Sequence, residues 1–363
     1  MGARSFAPSK RNCLSFCYKP DAFLPCTNHR RARAAPTALA GGPYSFALHP
    51  RVTPSDQQKR PVIAVVGPTA SGKSALGIEM ALRLDGEIVN CDSVQVYREI
   101  EIATAKTPLD ERRGVPHHLI DFVSPQVNYT AGEWARAAAR KIEDIEARGR
   151  TALVVGGTGF YLRALRRPFF PSPPTDETLR RRLTELRERR GALHLHNLLR
   201  RVDPQAASRL HERDWPRVQR ALEVRFQTGR PISMQLEGRA GAHESAARLR
   251  VIALSPPRAE LYARINERTE AHFAAGLVDE VRGLLERGFP PDSNALGAHG
   301  YRRVVEYLRG ERSLAEAVEQ TKLDVRHYAK RQLTWFRREP GVQWFDGFGD
   351  DPRLQQLVLK AVT

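Results

Sequence analysis

The run Gly67-Pro68-Thr69-Ala70-Ser71-Gly72-Lys73-Ser74 limits what this chain can fold into more than any other feature. It is entered from the apolar stretch Val62-Ile63-Ala64-Val65-Val66 and left through a helical pattern, so it predicts a strand, a glycine loop and a helix in that order. Successive backbone N–H groups at the N-terminus of that helix, with the helix dipole behind them, make an anion site. Lys73 adds a mobile positive charge, and the Ser74 hydroxyl can hold Mg²⁺, the one metal expected here. A phosphorylated ligand is expected, but the loop alone does not say which. Kinases, hydrolases and some transferases all use such loops.

Around the loop the pattern alternates between helix and strand. A helix is predicted over 75–84 and a buried strand over 86–91. Thr130 with Glu133 three residues later reads as a capping box, opening a helix that stops at Gly149. Residues 151–155 form another apolar run, which empties into Gly156-Gly157-Thr158-Gly159. This alternation predicts an α/β fold, a P-loop-type parallel sheet core flanked by helices, with the polar loops at the carboxyl edge of the sheet. Pro171, Pro173 and Pro174 then interrupt the pattern, and 175–228 is helical throughout and dense in arginine. Strand character returns at 249–254, helices follow to Arg338, and 343–345 suits a last short strand. The expected division is a catalytic core over 61–172 and 249–346 carrying a helical insertion over 173–248.

The 363 residues hold 58 Lys and Arg against 41 Asp and Glu, a net charge of +17 that favours polyanionic partners such as nucleic acid. An arginine-rich composition from a GC-rich genome is the plain alternative. Residues 1–60 carry close to half of this excess, with only Asp21 and Asp56 as acids. Such an acid-poor leader fits an organelle transit peptide or an upstream start, and is expected to be disordered and outside the fold. Cys13, Cys17 and Cys26 lie in it, without a histidine pair at zinc-finger spacing. No apolar run is long enough to span a membrane. Nothing suggests a disulfide framework, so a reducing compartment, the cytoplasm, is expected, with organelle import following if the leader is real.

In a kinase or hydrolase the strand at 151–155 would end in a metal-binding aspartate, whereas here it ends in Gly-Gly-Thr. Asp92, at the tip of the strand over 86–91, is the best placed carboxylate, and on its residues alone it reads equally as a turn aspartate. Cys91 beside it suits a buried small hydrophobe. His117 and His118 are adjacent and do not converge as ligands four apart would, so no metal is assigned to them. Arg326, Lys330 and Thr334 recur every four residues and share a helix face, with Arg337 close by, either as solvated surface or as a nucleic-acid face.

Several separated motifs together resemble the tRNA dimethylallyltransferase family, also called tRNA isopentenyltransferases, in its bacterial form. They are GPTASGKS at 67–74, DSVQVY at 92–97, TAK at 104–106, GGTGFY at 156–161, RVQRALEV at 217–224, GYR at 300–302 and KRQLTWFRR at 330–338. The resemblance spans roughly 61–346. It implies transfer of a prenyl group from dimethylallyl diphosphate to the N6 amine of the adenosine immediately 3′ of the anticodon, in tRNAs that read codons beginning with U. It further implies Asp92 as base, with Lys73 and Thr158 completing the catalytic group. Residues 67–74 and Arg302 would hold the diphosphate with Mg²⁺. Contacts to the tRNA anticodon stem-loop would fall to Asp92, Ser93, Val94, Gln95 and Thr158, and to Arg180. A second set would be Pro216, Arg217, Val218, Gln219 and Arg220, and a third Lys330, Arg331, Gln332, Leu333, Thr334, Trp335, Phe336 and Arg337. Ala103 and His299 depart from the family pattern, and the absence of cysteine after Cys91 removes the zinc finger of eukaryotic relatives.

Such chemistry needs help at both ends, because the amine lone pair is delocalised into the adenine ring while the leaving diphosphate gains charge. Three alternatives stand beside it: an adenylate isopentenyltransferase acting on a free nucleotide, a P-loop small-molecule kinase, and an RNA-binding protein without catalysis. A monomer is expected.

Overall fold

The computed structural model describes residues 60–167, 173–237 and 244–362. The expected N-terminal extension, with its three cysteines, lies outside these residues except for Arg60, as do Pro171 in the proline break and residues 238–243 of the expected insertion. Six strands run parallel: β1 (Val62–Val66), β2 (Gly86–Asn90), β3 (His117–His118), β4 (Thr151–Gly156), β5 (Leu249–Leu254) and β6 (Val342–Phe345), ordered β3-β2-β4-β1-β5-β6. The helices in chain order are α1 (Lys73–Arg83), α2 (Ala131–Ala147), α3 (Gly159–Arg166), α4 (Glu177–Arg190), α5 (Ala192–Val202), α6 (Pro204–Arg209) and α7 (Trp215–Thr228). They continue as α8 (Ile232–Glu237), α9 (Glu244–Ala247), α10 (Arg258–Ala274), α11 (Leu277–Glu286), α12 (Tyr301–Leu308), α13 (Leu314–Arg337) and α14 (Pro352–Val362).

The central strands are apolar without alternation because both faces are covered. In β1, Val62, Ala64 and Val66 point into a core layer shared with Trp134, Ala138 and Ile142 of α2. Ile63 and Val65 point the other way, into a layer with Leu76 and Met80 of α1. In β4, Ala152 and Val154 join the first layer and Leu153 and Val155 the second, so the two-residue period of a strand assigns each side chain to its layer. Around 25 cal/mol per Å² of apolar surface removed from water drives this assembly.

α2 begins where the capping box predicts: Thr130 Oγ1 accepts from the Glu133 N–H at 3.2 Å and Glu133 Oε2 accepts from the Thr130 N–H at 2.8 Å. Several elements were not foreseen, among them α3, α9, β3 and α14. β3 is a two-residue edge strand whose His118 pairs with Glu87 at 2.6 Å, while the His117 Nδ1 lies 2.8 Å from the Val115 carbonyl. α14, beyond Asp346, buries Leu354, Val358 and Val362 against the α1 layer. Between α3 and β5, α4 to α7 gather Leu183, Leu195, Leu199, Val218 and Leu222 into a hydrophobic cluster of their own. Among the described residues no helix is long and apolar enough to cross a membrane.

Candidate active site

The phosphate loop leaves β1 at Gly67 and closes on α1 at Gly72, whose φ of 78° is left-handed. Only glycine suits that turn, because a Cβ there would lie 2.7 Å from the Asp350 amide nitrogen. Lys73 folds back so that its Nζ donates to the Pro68 carbonyl at 3.2 Å. Burial pulls its pKa down to about 8, Asp92 pushes it back up, and Arg268 adds to the lowering.

A prediction follows from that value. The ammonium that grips an anion is present below about pH 8 and is lost as pH rises through it, while an exposed lysine stays charged to about pH 10. The dissociation constant for pyrophosphate should therefore climb above pH 8, and a flat profile to pH 10 would exclude Lys73 from the grip. Stability moves the opposite way through this group: between about 8 and 10.5 the unfolded chain binds more protons, so the folded state gains as pH rises.

Asp92 follows the end of β2, and its Oδ1 accepts from the Val94 N–H at 2.9 Å and the Gln95 N–H at 3.3 Å. It is thus a turn aspartate and a cavity residue at once. Thr158, at the N-cap of α3, accepts from the Ser93 N–H through Oγ1 at 3.0 Å and donates to Ser93 Oγ at 3.3 Å. Gln95 Nε2 donates to the carbonyls of Thr104 and Ala105 at 3.1 and 3.0 Å, tying the DSVQVY turn to the TAK segment.

Two cavities meet at Asp92. One, of 660 Å³, is lined by Thr69, Ala70, Gly72, Lys73 and Ser74 of the loop and reaches Arg268 and His272. The other, of 560 Å³, runs past Val94, Thr158, Phe273, Leu277, His299 and Tyr328. Thr69, Asp92, Thr104, Arg268 and His272 line both. Arg268 was missing from the sequence-based set. It sits on α10, donates through Nη2 to Thr69 Oγ1, and burial pulls its pKa down against the pull of Asp92. His272, one turn on, is held at about 4 by burial and by Arg268, so its ring is neutral. The signal was present in the pattern: Leu261, Ile265, Arg268 and His272 follow one helical face, an arginine on an otherwise apolar stripe.

Arg302, expected to hold the diphosphate, lies outside both cavities. Its side chain is 66% exposed and donates to Glu306 at 3.2 Å, because the first turn of α12 points it away from the loop. Arg268 is instead the arginine that lines both cavities. The residues expected to contact tRNA divide between buried and exposed positions. Gln332 is buried and accepts from the Thr69 N–H at 2.8 Å while donating to the Gly157 carbonyl at 2.9 Å, bridging the two glycine loops. Gln332→Leu should destabilise the fold by about 1–3 kcal/mol, since both backbone groups lose their partner; a shift under a few tenths of that in urea unfolding would remove the bridge from the account. Phe336, Val218 and Gln219 are likewise buried, and Leu333 half-buried, so these side chains pack rather than present a surface.

The residues that do face outward include Lys330, Arg331, Thr334 and Arg217, beside the half-buried Trp335. With Arg163 and Arg338, which the sequence reading left out, they line a 410 Å³ basic groove. Arg163 stacks over Trp335 at 3.9 Å. Arg337, Pro216 and Ser93 lie outside that groove, the first two exposed. Arg180 makes a bidentate pair with the buried Glu223 at 2.9 and 3.1 Å, and Arg220 bonds to the same carboxylate and to the Pro173 carbonyl.

For a metal, Ser74 lines the loop cavity in the first turn of α1, and no group of three His, Cys, Asp or Glu among the described residues could hold an ion alone. That donor set suits Mg²⁺, which keeps most of its water and takes phosphate oxygens with one protein ligand.

A parallel sheet with a phosphate loop, no carboxylate at the end of β4 and an aspartate where two cavities meet defines a P-loop α/β protein built to bring an anionic ligand against a second one. The family model for IPP transferase matches residues 95–339. The tRNA dimethylallyltransferase of Solibacter usitatus is 48% identical over 303 residues, 84% of this chain and 98% of that protein. That of Geobacter metallireducens is 47% identical over 304 residues, with the same coverage. The crystal structure of the full-length tRNA isopentenylpyrophosphate transferase of Bacillus halodurans superposes with a TM-score of 0.62 at 37% identity, over 84% of this chain and 96% of that one. A eukaryotic dimethylallyltransferase captured acting on tRNA gives 0.66 at 29% identity, over 79% and 74%. The chain belongs to the IPP transferase family.

Proposed function

We propose that this chain transfers the dimethylallyl group of dimethylallyl diphosphate to the N6 amine of the adenosine 3′ to the anticodon, in tRNAs reading codons that begin with U. The observation that carries it is the sharing of Asp92, Thr69 and Arg268 by both cavities, which lets two substrates meet from opposite sides. The loop N–H groups, Lys73 and Arg268 hold the diphosphate. Mg²⁺, bound through Ser74 and the diphosphate oxygens, would add charge neutralisation there. The amine nitrogen forms a bond to the allylic carbon as that carbon's bond to oxygen breaks, the electron pair leaves on diphosphate, and the amine proton passes to the Asp92 carboxylate. Thr158, bonded to both the N–H and the hydroxyl of Ser93, keeps the Asp92 turn in place.

The adenine must leave its stack to reach this point, entering through the cavity past His299 and Tyr328. The basic groove takes phosphates of the stem-loop, and the insertion, 173–248, adds to that surface. A monomer working in the cytoplasm is part of the same proposal. A kinase reading lacks its carboxylate at the end of β4, and a free-nucleotide acceptor leaves the groove without a role. Arg217→Ala or Lys330→Ala should weaken stem-loop binding and reduce the slope of log affinity against log salt by about 0.7 to 1 per lost phosphate contact. An unchanged slope would remove that residue from the tRNA face.

The direct test is incubation with Mg²⁺, dimethylallyl diphosphate and an anticodon stem-loop, read by mass spectrometry. One added prenyl unit is expected. No gain in mass where the RNA binds would overturn the assignment, and prenylation of AMP in its place would favour the free nucleotide.

A further inference from the structure

The phosphate loop is held from outside by a segment that the family match does not reach. Phe348, Gly349 and Asp350 pass directly over it. The Gly349 N–H donates to the Ser71 carbonyl at 2.9 Å. The fit is too close for side chains: a Cβ on Gly349 would lie 2.5 Å from the Gly72 carbonyl oxygen, and one on Gly72 would lie 2.7 Å from Asp350. Phe348 is buried among Leu261 and Ile265 of α10 and Ala329 of α13, with Ala70 of the loop packed against the same cluster.

The same three residues are tied to α10 and α14. Arg264 stacks over the Phe348 ring at 3.7 Å and pairs with both Asp350 oxygens at 3.0 and 2.8 Å. Gln355, on α14, donates to the Gly349 carbonyl at 2.8 Å, and α14 is itself anchored against α1. Arg264 stands one turn before Arg268 on α10. Asp350 and Gln355 also line the loop cavity.

We propose that residues 348–350 are a clasp that positions the diphosphate grip, locking the loop carrying Lys73 to the helix carrying Arg268. The loop needs such a device because Ala70 holds a φ of 62°, a conformation that a non-glycine residue leaves unless packing holds it, and Ala70 packs against the Phe348 cluster. An exposed ion pair alone contributes little. Here the pair is joined to an aromatic stack, a backbone hydrogen bond and a side-chain hydrogen bond, all bearing on three residues. Arg264, Gly349 and Asp350 are therefore positioning residues that act through the loop amides, Lys73 and Arg268.

The inference rests on the diphosphate reading of the loop, and its test separates the two. Wild-type protein and the variants Arg264→Ala, Arg264→Lys and Gly349→Val are titrated with inorganic pyrophosphate and Mg²⁺ by calorimetry. They are then assayed for the KM of each substrate, kcat and melting temperature. Arg264→Ala and Gly349→Val should weaken pyrophosphate binding and raise the KM for dimethylallyl diphosphate about tenfold, leaving the KM for the stem-loop unchanged. Arg264→Lys, which keeps the charge on Asp350, should recover part of the loss. Wild-type binding with variants that bind equally well refutes the clasp alone, as does an Arg264→Ala variant that loses both substrates in step with its melting temperature. Wild-type protein that does not bind pyrophosphate refutes the diphosphate reading and the clasp with it.

Discussion

Asp92→Asn is expected to lower the rate of prenyl transfer about 10²- to 10⁴-fold, the usual contribution of a positioned base, with no change in melting temperature. The substitution separates the two roles of this residue. An amide oxygen can still accept from the Val94 and Gln95 N–H groups, which the carboxylate holds at 2.9 and 3.3 Å, so the turn after β2 survives. What is lost is the ability to take a proton from a nitrogen that becomes acidic only as its new bond forms. Single-turnover prenylation with enzyme in excess, beside stem-loop binding, reads these separately. Binding should hold while the rate falls, and a variant within about threefold of wild type would remove Asp92 from the chemistry.

How much of the fold is legible beforehand depends on whether its cause is local. The capping box at Thr130 and Glu133 needs only four residues, and α2 begins at Ala131 as those residues require. The strands at the sheet centre declare themselves because burial on both faces demands continuous apolar runs. β3 could not be read, since two histidines at an edge have no periodicity and pair only because β2 is already there. α14 is different. Leu354, Val358 and Val362 recur every four residues, a signal that was available but lay past the last recognised motif.

The site divides along the same line. Gly67 to Ser74, Asp92 and Thr158 each sit at the end of a strand, where a parallel sheet collects its functional loops, so position along the chain predicts position in space. Arg302 and Arg268 show the limit. Both are arginines on helices after β5, and no motif separates them; only the buried stripe of Leu261 and Ile265 that Arg268 continues marks the one turned inward. The long motif at 330–338 mixes both kinds of residue: Lys330, Arg331 and Thr334 face the groove, while Gln332 and Phe336, on the opposite side of the same turns, hold α13 to the sheet. A motif records what a family needs, whether for contact or for packing, and only the fold separates them.

Arg268→Ala tests that separation most sharply, because activity and stability should move in opposite directions. In the free protein the guanidinium is buried and donates to the Thr69 hydroxyl, but forms no ion pair among the described residues. A buried charge without a partner is a standing cost to the fold. Its removal should leave the melting temperature unchanged or raised. In the proposed reaction the diphosphate is the partner it lacks, and because the leaving group gains charge as the carbon–oxygen bond breaks, Arg268 would act most strongly in the transition state. A loss of about 10² to 10³ in kcat/KM for dimethylallyl diphosphate is expected, with the KM for the stem-loop little altered. Lys73→Ala should cost a similar factor, and the double variant less than the product of the two, since both cations grip one anion. A lower melting temperature with equal losses for both substrates would show instead that Arg268 only packs α10 against the loop.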